Sequence, residues 1–163
     1  MDRIGVRTRW CFEVGASDGL KYSNVRRLID EGWNAVLIES DPGLYEKLKT
    51  LSNGAVHTVH AHIDSESLEK ILTDAGAPLE LDLGVIDIDG QDYWVWDQMC
   101  LFRPRLMLVE FALDQDSDFI PELGRHRPGQ AGRDAIIKLG KYKGYEPIGE
   151  THVNLLFCQK DLL

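Results

Sequence analysis

The chain has 163 residues, 44% apolar and 28% charged, with a formal net charge of −9. That length supports one domain with its own core, and the acidic balance argues against a general nucleic-acid or anionic-membrane binder, which would present a basic face. No apolar run reaches the ~18–20 residues of a membrane span. The opening MDRIGVRTRW has no apolar signal-peptide core. Cys11, Cys100 and Cys158 fit neither a CxxC nor a zinc pattern. Scattered thiols suit a reducing compartment, so a cytoplasmic protein is expected.

Apolar runs alternate with helical patterns along the chain. Trp10–Val14 reads as a strand, followed by a turn holding Gly15 and Gly19. Val25, Leu28 and Ile29 mark a helix face, with Ser23 as N-cap and Gly32 as C-terminal stop. Ala35–Ile38 is a second strand. Asp41-Pro42 opens a helix, since Asp accepts an N-terminal amide and Pro suits the first helical position; Leu44, Leu48 and Leu51 continue it. Ala55–Ala61 is a third strand, and Asp64 or Ser65 caps a helix carrying Leu68, Ile71 and Leu72. His57, His60 and His62 read as one polar face of that strand rather than a metal site.

Leu83–Ile88 is a fourth strand, Tyr93–Cys100 a helix and Leu106–Phe111 a fifth strand. Asp114–Gly129 has no period and reads as a long loop, a length often tied to function; Arg125, His126 and Arg127 within it, with Arg133 beyond, read as solvated. Ala131–Tyr142 is a helix, and Tyr145–Ile148 and Val153–Cys158 form a hairpin. Five βα units and a hairpin predict an α/β fold: a doubly wound, mostly parallel seven-stranded sheet with a C-terminal antiparallel hairpin, one domain over residues 1–163. Ligands of such sheets bind beyond the carboxyl ends of the strands. That rule selects Gly15–Gly19, Glu39–Asp41, His62–Asp64, Asp87–Asp92 and Glu110–Phe111.

The first segment, EVGASDG, is not the G-x-G-x-x-G of a dinucleotide site, and no GxxxxGK[ST] is present. Loss of phosphate-cradling glycines favours a ligand without pyrophosphate, and S-adenosylmethionine is one. Gly15, Ser17 and Gly19 would let backbone approach it, and Glu13 or Asp18 would receive its ammonium group. Glu39, 20 residues after Gly19 at the end of the second strand, would accept from both ribose hydroxyls, with Ser40 beside it. Asp64 either reaches the adenine amino group or simply caps its helix.

The segments FEVGASDGLKYSN, GWNAVLIESDPGLYEKL, AHIDSESLEKIL, LGVIDIDGQDYWVW, RPRLMLVEF and KGYEPIGETHVNLLFCQKDL resemble the FkbM-like group of S-adenosylmethionine-dependent methyltransferases, of the Rossmann-like class. The Asp-Gly-x-Asp-Tyr-Trp stretch and the closing Gly-Tyr…Asn pattern are its more specific parts. The resemblance implies methyl transfer from S-adenosylmethionine, usually to a hydroxyl oxygen of a sugar or other small molecule. Members often have more chain before the first strand, so a covering element from a partner chain or second copy is an expectation here.

Asp87, Asp89 and Asp92 occupy the fourth strand end. Alternation places Asp87 and Asp89 on one side. Asp87 is expected to organise the glycine turn or the methionine end of the cofactor, and Asp92 to cap the helix. Asp89 is the first candidate for taking a hydroxyl proton, and Glu110 the second. Asp87, Asp89 and Glu110 would be the hard-oxygen set for Mg²⁺ or Mn²⁺, although nothing in the spacing demands a metal. Asn24, Trp94 and Asn154 are candidate substrate contacts. Trp94 and Trp96, two apart on a helix, cannot both face inward. Two alternatives stay open: a non-catalytic S-adenosylmethionine-binding or scaffold protein, and a metal-dependent phosphatase using Asp87-x-Asp89. The latter is disfavoured by Gln91 after the motif and by its place on the fourth strand.

Overall fold

The computed structural model describes residues 4–63, 67–124 and 129–163. The elements run β1 (Trp10–Val14), α1 (Arg26–Asp30), β2 (Asn34–Glu39), α2 (Pro42–Leu48), β3 (Val56–His60), α3 (Ser67–Asp74), β4 (Leu83–Ile86), α4 (Asp92–Gln98), β5 (Leu106–Glu110), α5 (Arg133–Tyr142), β6 (Tyr145–Glu150) and β7 (Asn154–Gln159), with short 3₁₀ turns at Lys49–Leu51 and Lys160–Leu162. The strands form one seven-stranded sheet in the order β3-β2-β1-β4-β5-β7-β6. The first five pair in parallel, and β7 runs antiparallel to both β5 and β6. The chain therefore winds outward from β1 to β3, returns to β4 and continues the other way. The switch point lies between β1 and β4.

Alternating side chains build a core on each face. Phe12, Val14, Val36, Ile38, Ile86, Met107 and Val109 meet α3, α4 and α5 on one face. Cys11, Ala35, Leu37, Val85 and Leu106 lie on the other, with Val25 and Leu48 from the α1 and α2 regions. Trp96 is fully buried against Tyr145 and Phe157. Its neighbour Trp94 is half-buried and donates Nε1–H to the carbonyl of Pro121 at 2.7 Å, so the two indoles do take different sides of α4. Asp41 caps α2, accepting from the Leu44 amide at 2.8 Å with Pro42 at the first helical position. Among the described residues, no helix is long and apolar enough to cross a membrane.

Asp82, buried just before β4, ties down the segment before β1. It accepts from the amides of Arg7, Thr8 and Arg9, the Thr8 hydroxyl and the Arg105 guanidinium. Burial alone would raise its pKa, but Arg105 and these amides outweigh that and lower it. The loop after β5 is held from two sides. Gln91 pairs with the backbone of Glu122 and Gly124, and the amides of Asp134 and Ala135 donate to the Ser117 carbonyl.

Several sequence expectations shift. Ser23 does not cap α1; that helix begins at Arg26 without a side-chain cap, and the Ser23 hydroxyl donates to Glu13 instead. β4 ends at Ile86, because the chain then enters a turn in which Asp89 takes φ +56°. Strand alternation therefore does not govern the placing of Asp89 relative to Asp87. Asp92 is not the N-cap of α4; Gln91 holds that position. His57 and His60 are three apart and so lie on opposite faces of β3: His57 stacks with Trp10, and His60 with Tyr45. α5 starts at Arg133, two residues later than the sequence suggests, and β6 extends to Glu150. Asp64 and Ser65, the expected caps of α3, and Arg125, His126 and Arg127 lie outside the described residues.

Candidate active site

The carboxyl ends of β1, β2 and β4 are pinned together by backbone. The amides of Gly15 and Ala16 both donate to the Ile38 carbonyl at 3.0 Å. Gly15 has φ +82°, and a Cβ there would lie 1.8 Å from the Asp87 carbonyl oxygen, so only glycine lets the β1 turn pass the end of β4. Ser17, also left-handed at φ +53°, donates its amide to Glu39 Oε2 at 2.8 Å. Glu39 Oε1 accepts the amides of Ser40 and Asp41 at 2.8 and 2.7 Å. Three backbone donors thus fix this carboxylate, leaving about one of its roughly four lone-pair sites for another donor.

These segments enclose a cleft of about 290 Å³. Of the residues selected from the sequence, Gly15, Ser17, Glu39, Ser40, Asp87 and Asp89 line it. Its apolar walls are Val14, Ile38, Leu44, Ala61, Ile63 and Ile88, and His62 stands beside them. Leu44 and Ile63 carry no chemical signal in the sequence, although the strand-end rule points to the His62 neighbourhood.

Other selected residues serve the walls. Glu13 is buried and accepts from the Ser23 hydroxyl at 2.7 Å, the Asn24 amide at 2.6 Å and the Asn24 side chain at 3.1 Å. Burial raises its pKa, opposed by these hydrogen bonds. Its carboxylate is thus committed to residues 23 and 24 rather than to an ammonium group. Asp18 folds back on the amides of Leu20 and Lys21. Gly19 is needed for packing: a Cβ there would lie 2.5 Å from Leu51 Cδ1 and 2.7 Å from Leu48 Cδ1. Asn24 bridges Glu13 and Asp87, reaching Asp87 Oδ2 at 3.4 Å. Trp94 is spent on the Pro121 carbonyl and is not a lining residue of the cleft.

Carboxylates are graded by depth on the β4–β5 side. Asp89 is exposed at the rim, Asp87 half-buried, Glu110 9% exposed and Asp92 fully buried. Asp92 clasps the turn before it, accepting the amides of Ile88 at 2.8 Å and Gly90 at 3.0 Å, while burial pushes its pKa up to about 6. Glu110 Oε2 accepts the Asp89 amide at 3.2 Å and the side-chain amide of Gln130. Burial, then the charges of Asp87, Asp92 and Asp89, push the Glu110 pKa up to about 9. Glu110 therefore holds a proton at neutral pH. Gln130 carried no sequence signal, since its role depends on the loop folding back over β5. Asn154 lies opposite Glu110 on β7 and donates to Asp87 Oδ2 at 3.4 Å. Among the described residues no group of three or more His, Cys, Asp or Glu is placed to hold a metal ion, so Asp87, Asp89 and Glu110 do not close into a metal set.

No protein-family model and no curated protein matches the sequence; the FkbM-like resemblance rests on its quoted segments alone. Solved structures do match the fold. A LepI variant in complex with SAH and a substrate analogue superposes with TM-score 0.57 at 8% identity, over 97% of this chain and 46% of that one. A SAM-dependent methyltransferase from Aquifex aeolicus gives 0.50 at 9% identity, over 96% and 83%. A SAM-dependent methyltransferase from Bacteroides fragilis in complex with S-adenosyl-L-homocysteine gives 0.51 at 15% identity, over 94% and 70%. The chain spans less than half the length of the LepI structure. These likenesses define the class of fold: a Rossmann-like, methyltransferase-type α/β sheet with a C-terminal antiparallel hairpin.

Proposed function

We propose that the chain is an S-adenosylmethionine-dependent methyltransferase that methylates a hydroxyl on a small molecule or sugar. The observation that carries this reading is the cleft at the switch point, where a pre-oriented Glu39 faces apolar walls and a carboxylate-lined end. Leu44 and Ile63 suit an adenine face, Glu39 one ribose hydroxyl, and the Asp87–Asp89 end a cationic sulfonium. When bound, S-adenosylmethionine supplies an electrophilic methyl group. The chain's own contribution is placement, which in a displacement at carbon accounts for most of the rate.

Asp89, exposed at the rim, takes the proton of the acceptor hydroxyl. Glu110, protonated at neutral pH, is a positioning residue that holds the Asp89 backbone through Oε2. The fold class and the FkbM-like segments support the same assignment. Labelled-methyl transfer to a panel of hydroxyl compounds and sugars tests it. We expect Asp89-dependent formation of base-stable methyl ethers, with Asp89→Asn lowering the rate about 10²-fold or more. Label recovered only on nitrogen or carbon contradicts the hydroxyl assignment.

A further inference from the structure

Beyond the cofactor cleft, where β5 and β7 run side by side, hydrogen-bond acceptors outnumber donors. Glu110 and Asn154 are register partners there. Asn154 is 6% exposed, and its amide head reaches Asp87 through Nδ2. The amide cannot be turned over, because its oxygen would then face a carboxylate. Its Oδ1 is buried and has no hydrogen-bond partner among the described residues. Buried carbonyls are rarely left unmet. Glu110 and Asp87 are neighbours there, each held by an amide of the same group of residues, and two carboxylates so placed favour a proton or a cation.

A protonated primary amine matches these groups. It carries one positive charge and three N–H donors, matching the Asp87 carboxylate, the carboxyl of Glu110, whose proton passes to solvent as the ammonium binds, and one amide oxygen. Its place in the sheet indicates which molecule brings it. Glu39, Leu44, Ala61 and Ile63 lie on the β2–β3 side of Asp87, whereas Glu110 and Asn154 lie on its far side and are not among the lining residues of the cleft. Asp87 is the shared wall. We propose that Asp87, Glu110 and Asn154 form a subsite for a protonated primary amine on the acceptor, which is then an amino-bearing hydroxyl compound such as an amino alcohol or amino sugar. This rests on the methyltransferase reading above.

The test follows the side-chain amide resonances of Asn24, Asn154 and Gln130 in ¹⁵N-labelled protein, titrated with ethanolamine, ethylene glycol or MgCl₂, with and without saturating S-adenosylhomocysteine. We expect a saturable response of the Asn154 pair to ethanolamine, at least tenfold weaker with ethylene glycol, persisting when S-adenosylhomocysteine is bound. Glu110→Gln, isosteric and relieved of a buried acid, folds and weakens ethanolamine at least tenfold; Asp87→Asn does the same, and thermal melts report the fold of both. No ethanolamine response, an equal response to the glycol, or a response to Mg²⁺ alone overturns the proposal. Loss of the ethanolamine response on saturation with S-adenosylhomocysteine also overturns it, by giving the subsite to the cofactor's amino-acid end. Ethanolamine binding by protein that does not bind S-adenosylhomocysteine removes the methyltransferase reading, and the acceptor assignment with it. Binding of S-adenosylhomocysteine without ethanolamine leaves that reading intact and sinks this proposal alone.

Discussion

At the scale of single residues, two glycines of one turn have different duties. Gly15→Ala drives a methyl group against the Asp87 carbonyl, a backbone atom that cannot swing away, at a left-handed φ. A loss of about 3 kcal/mol or more is expected in denaturant unfolding. Gly19→Ala shares the left-handed strain, at φ +71°, but meets only the flexible ends of Leu48 and Leu51, so it costs less; the reverse order contradicts the pinning of β1 to β4. Glu110 gives a pH signature. Its folded pKa, raised to about 9, lies above the ~4.3 of an unfolded glutamate. Its contribution to stability is therefore full below about pH 4.3, declines as the unfolded chain ionises, and is lost as pH rises through about 9. Glu110→Gln should raise the melting temperature above pH 7 and flatten its fall with pH; an unchanged profile contradicts a buried, protonated acid. From the sequence, Glu39, Asp87 and Asp89 could be placed on the cleft because each lies at or just beyond the carboxyl end of a strand. The commitment of Glu13 to residues 23–24 and the unmet oxygen of Asn154 could not, since both depend on partners brought in by tertiary folding.

At the scale of elements, strand order in the chain was legible because apolar runs alternate with helix starts. Boundaries moved where side chains outside the element intervene. β4 stops at Ile86 because Asp92 and Glu110 draw the following amides into a turn. The histidines of β3 look like one polar face in the sequence, but their uneven spacing divides them. Asp82 drew no notice in the sequence, yet it anchors the chain before β1. Asp82→Ala leaves the buried Arg105 guanidinium without its counter-charge and three amides without this acceptor, and a cost of about 3–5 kcal/mol is expected. Its lowered folded pKa adds a further sign: this stabilisation is present above the ~3.9 of an unfolded aspartate and is lost as pH falls through the folded value. Wild-type protein should therefore lose stability in acid more steeply than Asp82→Asn, as read by urea midpoints between about pH 2 and 5. Parallel profiles contradict the anchor.

At the scale of the whole molecule, the sheet order puts a committed carboxylate and apolar walls on one side of Asp87, and a buried group of acids and amides on the other. The central claim is that the first side is built for S-adenosylmethionine. Glu39→Gln keeps the shape but turns an acceptor into a mixed donor facing three backbone amides, so it should weaken any ligand held there by tenfold or more, about 1.4 kcal/mol. Calorimetric titration of the folded protein with S-adenosylhomocysteine is the most direct measurement. Saturable one-to-one binding, weakened at least tenfold by Glu39→Gln in protein that still melts cooperatively, is the expected result; no heat of binding from well-folded wild-type protein would contradict the account.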